Sequence, residues 1–310
     1  MQLDELVPRF VAGAIERLHP AVRSWIDDAA AHVYFRGPLG DALRRVHDLP
    51  WATRWRASCE VPASRPEDYL SRMVSLRSGG VALLEVRFKG LDPAWPFLEL
   101  AALDGPVDTA CLEELIEEAR RHPLAPRALR VEVAGQLPSE RSASADLRII
   151  VGHTRDLVAR PAPSTPLRLE QARDTSGYAR YAEAFRAFVA ADARVGPELW
   201  LPDEATFREL VDGGHAYDAH VDGQWAGFIA ARAETFIGND GWIVHEELLD
   251  APFRGRGLAP ALQRALVERL HEGRPGLVHG TIHFKNAASL ATAKRVGRID
   301  VGGYFFLELT

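Results

Sequence analysis

In this 310-residue chain, residues 248–259 (Leu-Leu-Asp-Ala-Pro-Phe-Arg-Gly-Arg-Gly-Leu-Ala) constrain the local architecture more than any other stretch. A run of strand character, residues 242–249, leads into them. A helical run, residues 258–270, follows, with Leu258, Leu262, Leu266 and Leu270 four apart on one face. The short loop between is rich in glycine and arginine. A strand–loop–helix unit of this kind aims several backbone N–H groups and the positive end of a helix dipole at one point, which makes an anion site suited to a pyrophosphate. Gly255 and Gly257 allow positive φ and a close approach of backbone to ligand. Pro260 falls in the first helical turn, where a missing N–H costs little.

Composition narrows the setting. The length suggests two domains with a core each. With 47% hydrophobic and 26% charged residues, the chain is that of a soluble globular protein. A net charge of -6 argues against a broad nucleic-acid footprint. The two cysteines, Cys59 and Cys111, suggest neither a disulfide framework nor a metal site, and no Cys/His pair has zinc-like spacing. The acidic start, Met1-Gln2-Leu3-Asp4-Glu5, does not read as a signal peptide, and no apolar run approaches a membrane span. A cytoplasmic location with no membrane partner is expected.

The prolines of Arg160-Pro161-Ala162-Pro163-Ser164-Thr165-Pro166 predict a linker, dividing the chain into domains 1–160 and 161–310. In the first half, residues 3–35 read as mostly helical, interrupted at Pro20, and residues 66–76 as a helix. Strands are predicted over 54–61, 81–88, 97–103, 129–133 and 147–151, and a helix over 109–121. In the second half the predicted order is strand 167–170, helices 178–194 and 202–211, strands 215–221, 225–233 and 242–249, helix 258–270, strand 278–283, helix 287–296 and strand 304–309. Asp222-Gly223 marks a hairpin turn.

Arg254, Gly257 and Ala259 give the spacing Arg-x-x-Gly-x-Ala, which resembles the acetyl-CoA pyrophosphate loop of the GNAT superfamily of N-acetyltransferases. Asn286-Ala287-Ala288-Ser289, ending at Lys294-Arg295-Val296-Gly297, resembles the Asn-x-x-Ser…Lys-x-x-Gly segment of that family. The element order over 167–310 resembles the GNAT fold as well. The resemblance implies an α/β (α+β) architecture, with a central mixed, twisted sheet flanked by helices, in two tandem domains. The first half repeats strand, loop, helix, strand over 97–133 without Arg-x-x-Gly-x-Ala. It is either a degenerate copy unable to hold a pyrophosphate or an unrelated α+β domain.

The resemblance also implies a function: direct transfer of an acetyl group from acetyl-CoA to an amine in a ternary complex, without a metal. The partner would be a small-molecule or peptide amine, with a homodimer as a possible assembly. The backbone N–H groups of Arg254, Gly255, Arg256, Gly257, Leu258 and Ala259 would hold the pyrophosphate. Leu249 would pair its backbone with the pantetheine arm, and Asn286 and Ser289 would contact the arm near the thioester; Asn286 also suits a helix cap. No cysteine near the motifs offers a covalent route. Alternatives are an N-acyltransferase using a longer acyl-CoA and a CoA-binding sensor or scaffold without catalysis.

An alkylamine must lose a proton to react, at a cost of about 4 kcal/mol at pH 7. His245, Glu246 and Glu247 are at hand on one strand, and alternation sets His245 and Glu247 on one face and Glu246 on the other. Glu247 is favoured as the base by a small margin, with Glu246 and then His283 behind it. The chain departs from the family at the tyrosine that protonates the leaving thiolate, where Ala293 stands. Ser289, Tyr304 or water could replace it; Tyr304 also fits a wall position. Arg298 stands where Phe is usual; it could bind an acidic group of an acceptor, and a surface salt bridge is the favoured reading.

Overall fold

The computed structural model describes residues 3–135, 143–163, 165–192, 196 and 199–309. The chain forms two compact units, one of residues 1–147 with 301–310 and one of residues 148–300. The division therefore falls at 147/148 and 300/301, not at the proline-rich stretch, of which Ser164 lies outside the described residues. Hydrogen bonds account for the first shift. Arg264 donates to the carbonyls of Leu157, Val158 and Arg160, and Gly276 N–H donates to Thr154 Oγ1 (3.1 Å), so the residues before the prolines are tied into the second unit.

The first unit opens with helices α1 (Leu3–Glu16), α2 (Pro20–Arg23), α3 (Asp28–Arg44) and α4 (Leu49–Ser58). Strands β1 (Arg72–Ser75), β2 (Val81–Phe88) and β3 (Pro96–Leu103), helix α5 (Thr109–Arg120) and strand β4 (Ala128–Val133) follow. Two predictions fail here. Residues 54–61 alternate apolar and polar but are mostly helical, because Asp48 accepts from Trp51 N–H (2.9 Å) and Pro50 sits in the first turn; Trp51 and Trp55 then stack four residues apart. Residues 66–76 hold only a 3-10 turn, Pro66–Tyr69, before β1, since Tyr69 is buried with its hydroxyl donating to Cys59 O (2.8 Å).

Strand β3 pairs with β4 in parallel only from Phe97↔Ala128 to Glu99↔Arg130, and the ladder then stops. The end of β3 is covered by α1. Arg17 Nη1 donates to Leu103 O (2.7 Å) and Gly105 O (3.1 Å), and Arg9 pairs with Asp104. Packing there is close: a Cβ on Gly13 would lie 2.6 Å from Leu103 O. Helix α5 is capped by its own Asp108, which accepts from Cys111 N–H (2.8 Å).

Strand β5 (Ala143–His153) enters the second unit, which continues with α6 (Thr154–Val158), β6 (Leu167–Gln171), α7 (Tyr178–Ala191), α8 (Glu204–Asp212), β7 (Ala216–Val221), β8 (Gln224–Ala233) and β9 (Gly241–Leu249). It ends with α9 (Leu258–Gly273), β10 (Leu277–His283), α10 (Ala287–Val296) and the start of β11 (Ile299–Glu308). The predicted extension of the 178–194 helix to Arg194 lies outside the described residues. From β6 onward the order is the one the GNAT resemblance implies. The strands run β6-β7-β8-β9-β10-β5; β6–β7, β7–β8 and β8–β9 pair antiparallel and β9–β10 pairs in parallel. From Val301 onward β11 belongs to the first unit, where it pairs antiparallel with β4 from Gly303↔Val133 to Glu308↔Ala128.

Both faces of the second sheet are covered. Leu262, Leu266 and Leu270 of α9, with Leu157 of α6, pack on Ile229, Ala231 and Trp242. Tyr181 and Phe185 of α7, with Phe207 and Leu210 of α8, pack on Phe228, Ala230 and Leu248. Each such side chain contributes about 1.5–3 kcal/mol when fully buried. Among the described residues, no helix is long and apolar enough to cross a membrane.

Candidate functional site

The second unit contains its own diverging strand pair. β9 and β10 pair in parallel through Gly241, Trp242 and Ile243 against Leu277, Val278 and His279, and then part. A cavity of about 390 Å³ opens at the divergence. Its walls include Glu246, Glu247 and Leu249 of β9, Arg254, Gly255 and Ala259 after it, and Asn286 and Ser289 of the next helix start. The two sequence motifs, about 30 residues apart, are thus brought to one place.

The loop leaves its backbone open. Gly255 and Gly257 both have φ of +72°, and nothing lies within 4 Å of where a Cβ would stand on either. Gly257 is the N-cap of α9 and supplies no side-chain cap, unlike the aspartates that cap α3, α4, α5 and α8. The first-turn N–H groups of an α-helix have no intrahelical acceptor, so those of Leu258 and Ala259 are directed outward. The expected cradle loses one member. Arg254 N–H already donates to Ala251 O (3.3 Å), while the Arg254 guanidinium bonds to Leu249 O (2.7 Å) and Ala184 O (3.3 Å) and lies over Phe188. Arg254 therefore fastens the loop to β9 and α7. Asp250 N–H bonds toward β8, to Ala226 O (2.9 Å), so Leu249, one residue earlier, turns its backbone toward the gap. Leu249 O is used by Arg254, and its N–H remains directed there. Asn286 caps α10, accepting from Ser289 N–H (3.1 Å), and also lines the cavity.

A bulge in β9 displaces His245. Glu246 opposes Ala230 but Val244 opposes Ala231, so His245 is the extra residue and alternation breaks there. Sequence alternation set His245 with Glu247; instead His245 Nδ1 lies 3.4 Å from Glu246 Oε1. Glu246 and Glu247 do take opposite faces. Tyr181 OH of α7 donates to Glu246 Oε2 (2.6 Å), and Gln263 Nε2 of α9 donates to Glu247 Oε2 (2.5 Å). Burial pushes the Glu247 carboxyl up to about 7, against the pull of the Gln263 bond and the Arg298 charge. Burial and the neighbouring Glu246 carboxylate raise the Tyr181 hydroxyl.

Two sequence expectations need correction. Arg298 is not a surface residue: it is 3% exposed, donates from Nη2 to Ile150 O (3.0 Å), and lines the cavity. Burial lowers its guanidinium to about 10, opposed by Glu247. Tyr304 does not join the site. It lies on the part of β11 that belongs to the first unit, opposite and hydrogen-bonded to Glu132, with Arg130 stacked 4.0 Å from its ring centre. Ala293 is fully buried, and His283 lines the cavity while accepting from Lys285 N–H (3.4 Å).

Tyr181, Gln263 and Trp200 were not singled out from sequence. Gln263 had a signal: it lies between Ala259 and Val267 at four-residue spacing, a polar group in an apolar stripe. Trp200, 80% exposed on the cavity wall, had none.

No family model matches the chain, and no curated protein matches it. Solved structures do resemble it. A GCN5-related N-acetyltransferase from Sphaerobacter thermophilus is 13% identical, with 86% of this chain and 95% of that one covered and a TM-score of 0.48. One from Kribbella flavida is 17% identical, covering 84% and 95%, with a TM-score of 0.44. The solved structures to which this chain is similar also include a tandem GNAT protein from the clavulanic acid biosynthesis pathway, at 16% identity, coverage of 86% and 97% and a TM-score of 0.41.

Proposed function

We propose that residues 148–300 bind an acyl-CoA, acetyl-CoA in the first instance, and transfer its acyl group directly to an amine. The observation that carries this reading is the gap between β9 and β10, paired through three residues and then open beside a helix N-terminus with no side-chain cap. Bound acetyl-CoA supplies an activated acyl carbon; the rest of the chemistry belongs to the chain. The N–H groups of Gly255, Arg256, Gly257, Leu258 and Ala259 hold the pyrophosphate. Leu249 N–H orients the pantetheine arm as an added strand would. Asn286 and Ser289 line its other side. N–H groups directed into the gap polarise the thioester carbonyl.

Glu246 is the base that best fits this geometry. It lines the cavity on the α7 side, and Tyr181 fixes one of its oxygens. Glu247, favoured from sequence, has its carboxyl turned to α9 instead. The buried Ala293 supports a second reading, a CoA-binding scaffold without turnover. Incubating the purified chain with acetyl-CoA or succinyl-CoA and a panel of primary amines separates the two. Amine-dependent release of free thiol is expected with at least one pair. A rise in melting temperature with CoA but no thiol release from any pair would favour the scaffold, and absence of both would remove the acyl-CoA reading.

One CoA is expected per chain. In the first unit Arg17 is already bonded to the Leu103 and Gly105 carbonyls at the end of β3, and the Asp108 carboxylate already occupies the N-terminus of α5. Titration calorimetry should give a stoichiometry near one, and two equivalent sites would contradict the assignment.

A further inference from the structure

We infer that Glu247 is the acid that protonates the departing thiolate, on the opposite side of β9 from the base Glu246. The inference rests on the acyl-transfer reading above. It begins from what α10 lacks: Ala293 is a buried methyl group, and Ser289 and Thr292, the hydroxyls of that helix on the cavity wall, are weak acids.

The geometry then points to one group. Strand alternation divides two adjacent carboxyls, Glu246 and Glu247, between the faces of β9, and both remain on the cavity wall. On the α9 side, Gln263 fills Glu247 Oε2, and Glu247 Oε1 is buried with no hydrogen-bond partner among the described residues. A carboxylic acid held this way has one oxygen accepting and one carrying an O–H without a protein acceptor. Gln263 of α9 and the Arg298 guanidinium act on it directly, Thr292 of α10 and Gly280 of β10 share the cavity wall, and His279 of β10 lies close enough to Arg298 to feel its charge. Arg298 Nε is also buried without a partner. Arg298 therefore acts as a positioning residue, a fixed positive charge that stabilises Glu247 once the proton has left. Burial keeps that proton in place to about pH 7.

The step balances. The amine lone pair attacks the thioester carbon, the C–N bond forms and the carbonyl π pair moves to oxygen. As the pair returns, the C–S bond breaks with its electrons going to sulfur. Glu246 takes the N–H proton, and Glu247 gives its proton to sulfur. The products are an amide and a neutral thiol, and the carboxyls return to their starting states by exchange with solvent.

Leaving-group dependence tests this. Glu247→Gln is assayed at pH 6 with acetyl-CoA and with an acetyl ester of an aromatic thiol, whose lower pKa lets it leave without a proton. Turnover of acetyl-CoA should fall by about 10²-fold, and turnover of the aryl thioester by only a few-fold. An acid is effective below its pKa and lost above it, so wild-type kcat should decline as pH rises through about 7, and this decline should be absent in Glu247→Gln. Arg298→Met removes the charge that favours ionised Glu247 and should move the decline to higher pH, a shift that a purely structural role would not produce. Equal losses with both donors, or an unchanged profile in both variants, would overturn the assignment while CoA affinity stays intact. Loss of CoA binding by the wild-type chain would instead overturn the acyl-transfer reading beneath it. If Glu247→Gln does not fold, the Arg298→Met profile decides.

Discussion

Glu246→Gln should lower kcat by about 10²–10⁴ with acetyl-CoA affinity nearly unchanged. The substitution keeps the size of the side chain and a partner for Tyr181 OH but removes the proton acceptor from the cavity wall. At neutral pH a protonated alkylamine must then lose its proton unaided, which costs about 4 kcal/mol. That cost shrinks as pH approaches the amine's own pKa, so the ratio of variant to wild-type turnover should rise with pH. The response should differ from that of Glu247→Gln, whose loss depends on the leaving thiol and not on the free-amine fraction. Steady-state thiol release, with CoA affinity measured alongside, checks both statements. A loss of only a few-fold would leave no role for Glu246 as base, and His245 or His283 would be examined next.

Gly257→Val should weaken CoA binding by at least about 10²-fold, the equivalent of losing one or two charge-assisted backbone hydrogen bonds. Space is not the obstacle, because no atom stands within 4 Å of the added Cβ. The obstacle is the backbone: φ at Gly257 is +72°, where a β-branched residue is strained by about 1–3 kcal/mol. The chain relieves that strain by rotating the turn, and the N–H groups that converge on one point no longer do so. Calorimetry on the folded variant measures the loss. Unchanged affinity in a protein with wild-type secondary structure would remove the loop from the binding site.

Much of this was legible in the sequence, and the failures have physical causes. The strand–loop–helix over residues 242–270 was readable because glycine, proline and the leucine period each report a local backbone preference. Asp222-Gly223 was readable for the same reason, and both residues have positive φ in the hairpin turn. The helix Leu49–Ser58 was missed by reading the alternation of Trp55, Ala57, Cys59 and Val61 ahead of the Asp48-Leu49-Pro50 start signal. The bulge at His245 had no local signal, since it depends on the register with β8, and it overturned the strand-alternation argument for His245. The burial of Arg298 and the placement of Tyr304 depend on which elements surround β5, β10 and β11, information that no window along the chain contains.

The membership of β11 carries a consequence for how the protein is made. Strand β4 finds its partner in residues 303–308, more than 160 positions later in the chain, with the whole 148–300 unit in between. During synthesis the first unit emerges with the edge of β4 unpaired, and it cannot complete its sheet until the second unit has been made. Such distant pairing is slow to find and leaves an open strand edge meanwhile. A chain cut at the proline-rich stretch would therefore yield two incomplete pieces: a first half with β4 exposed, and a second half without the α6 residues to which Arg264 and Gly276 are tied.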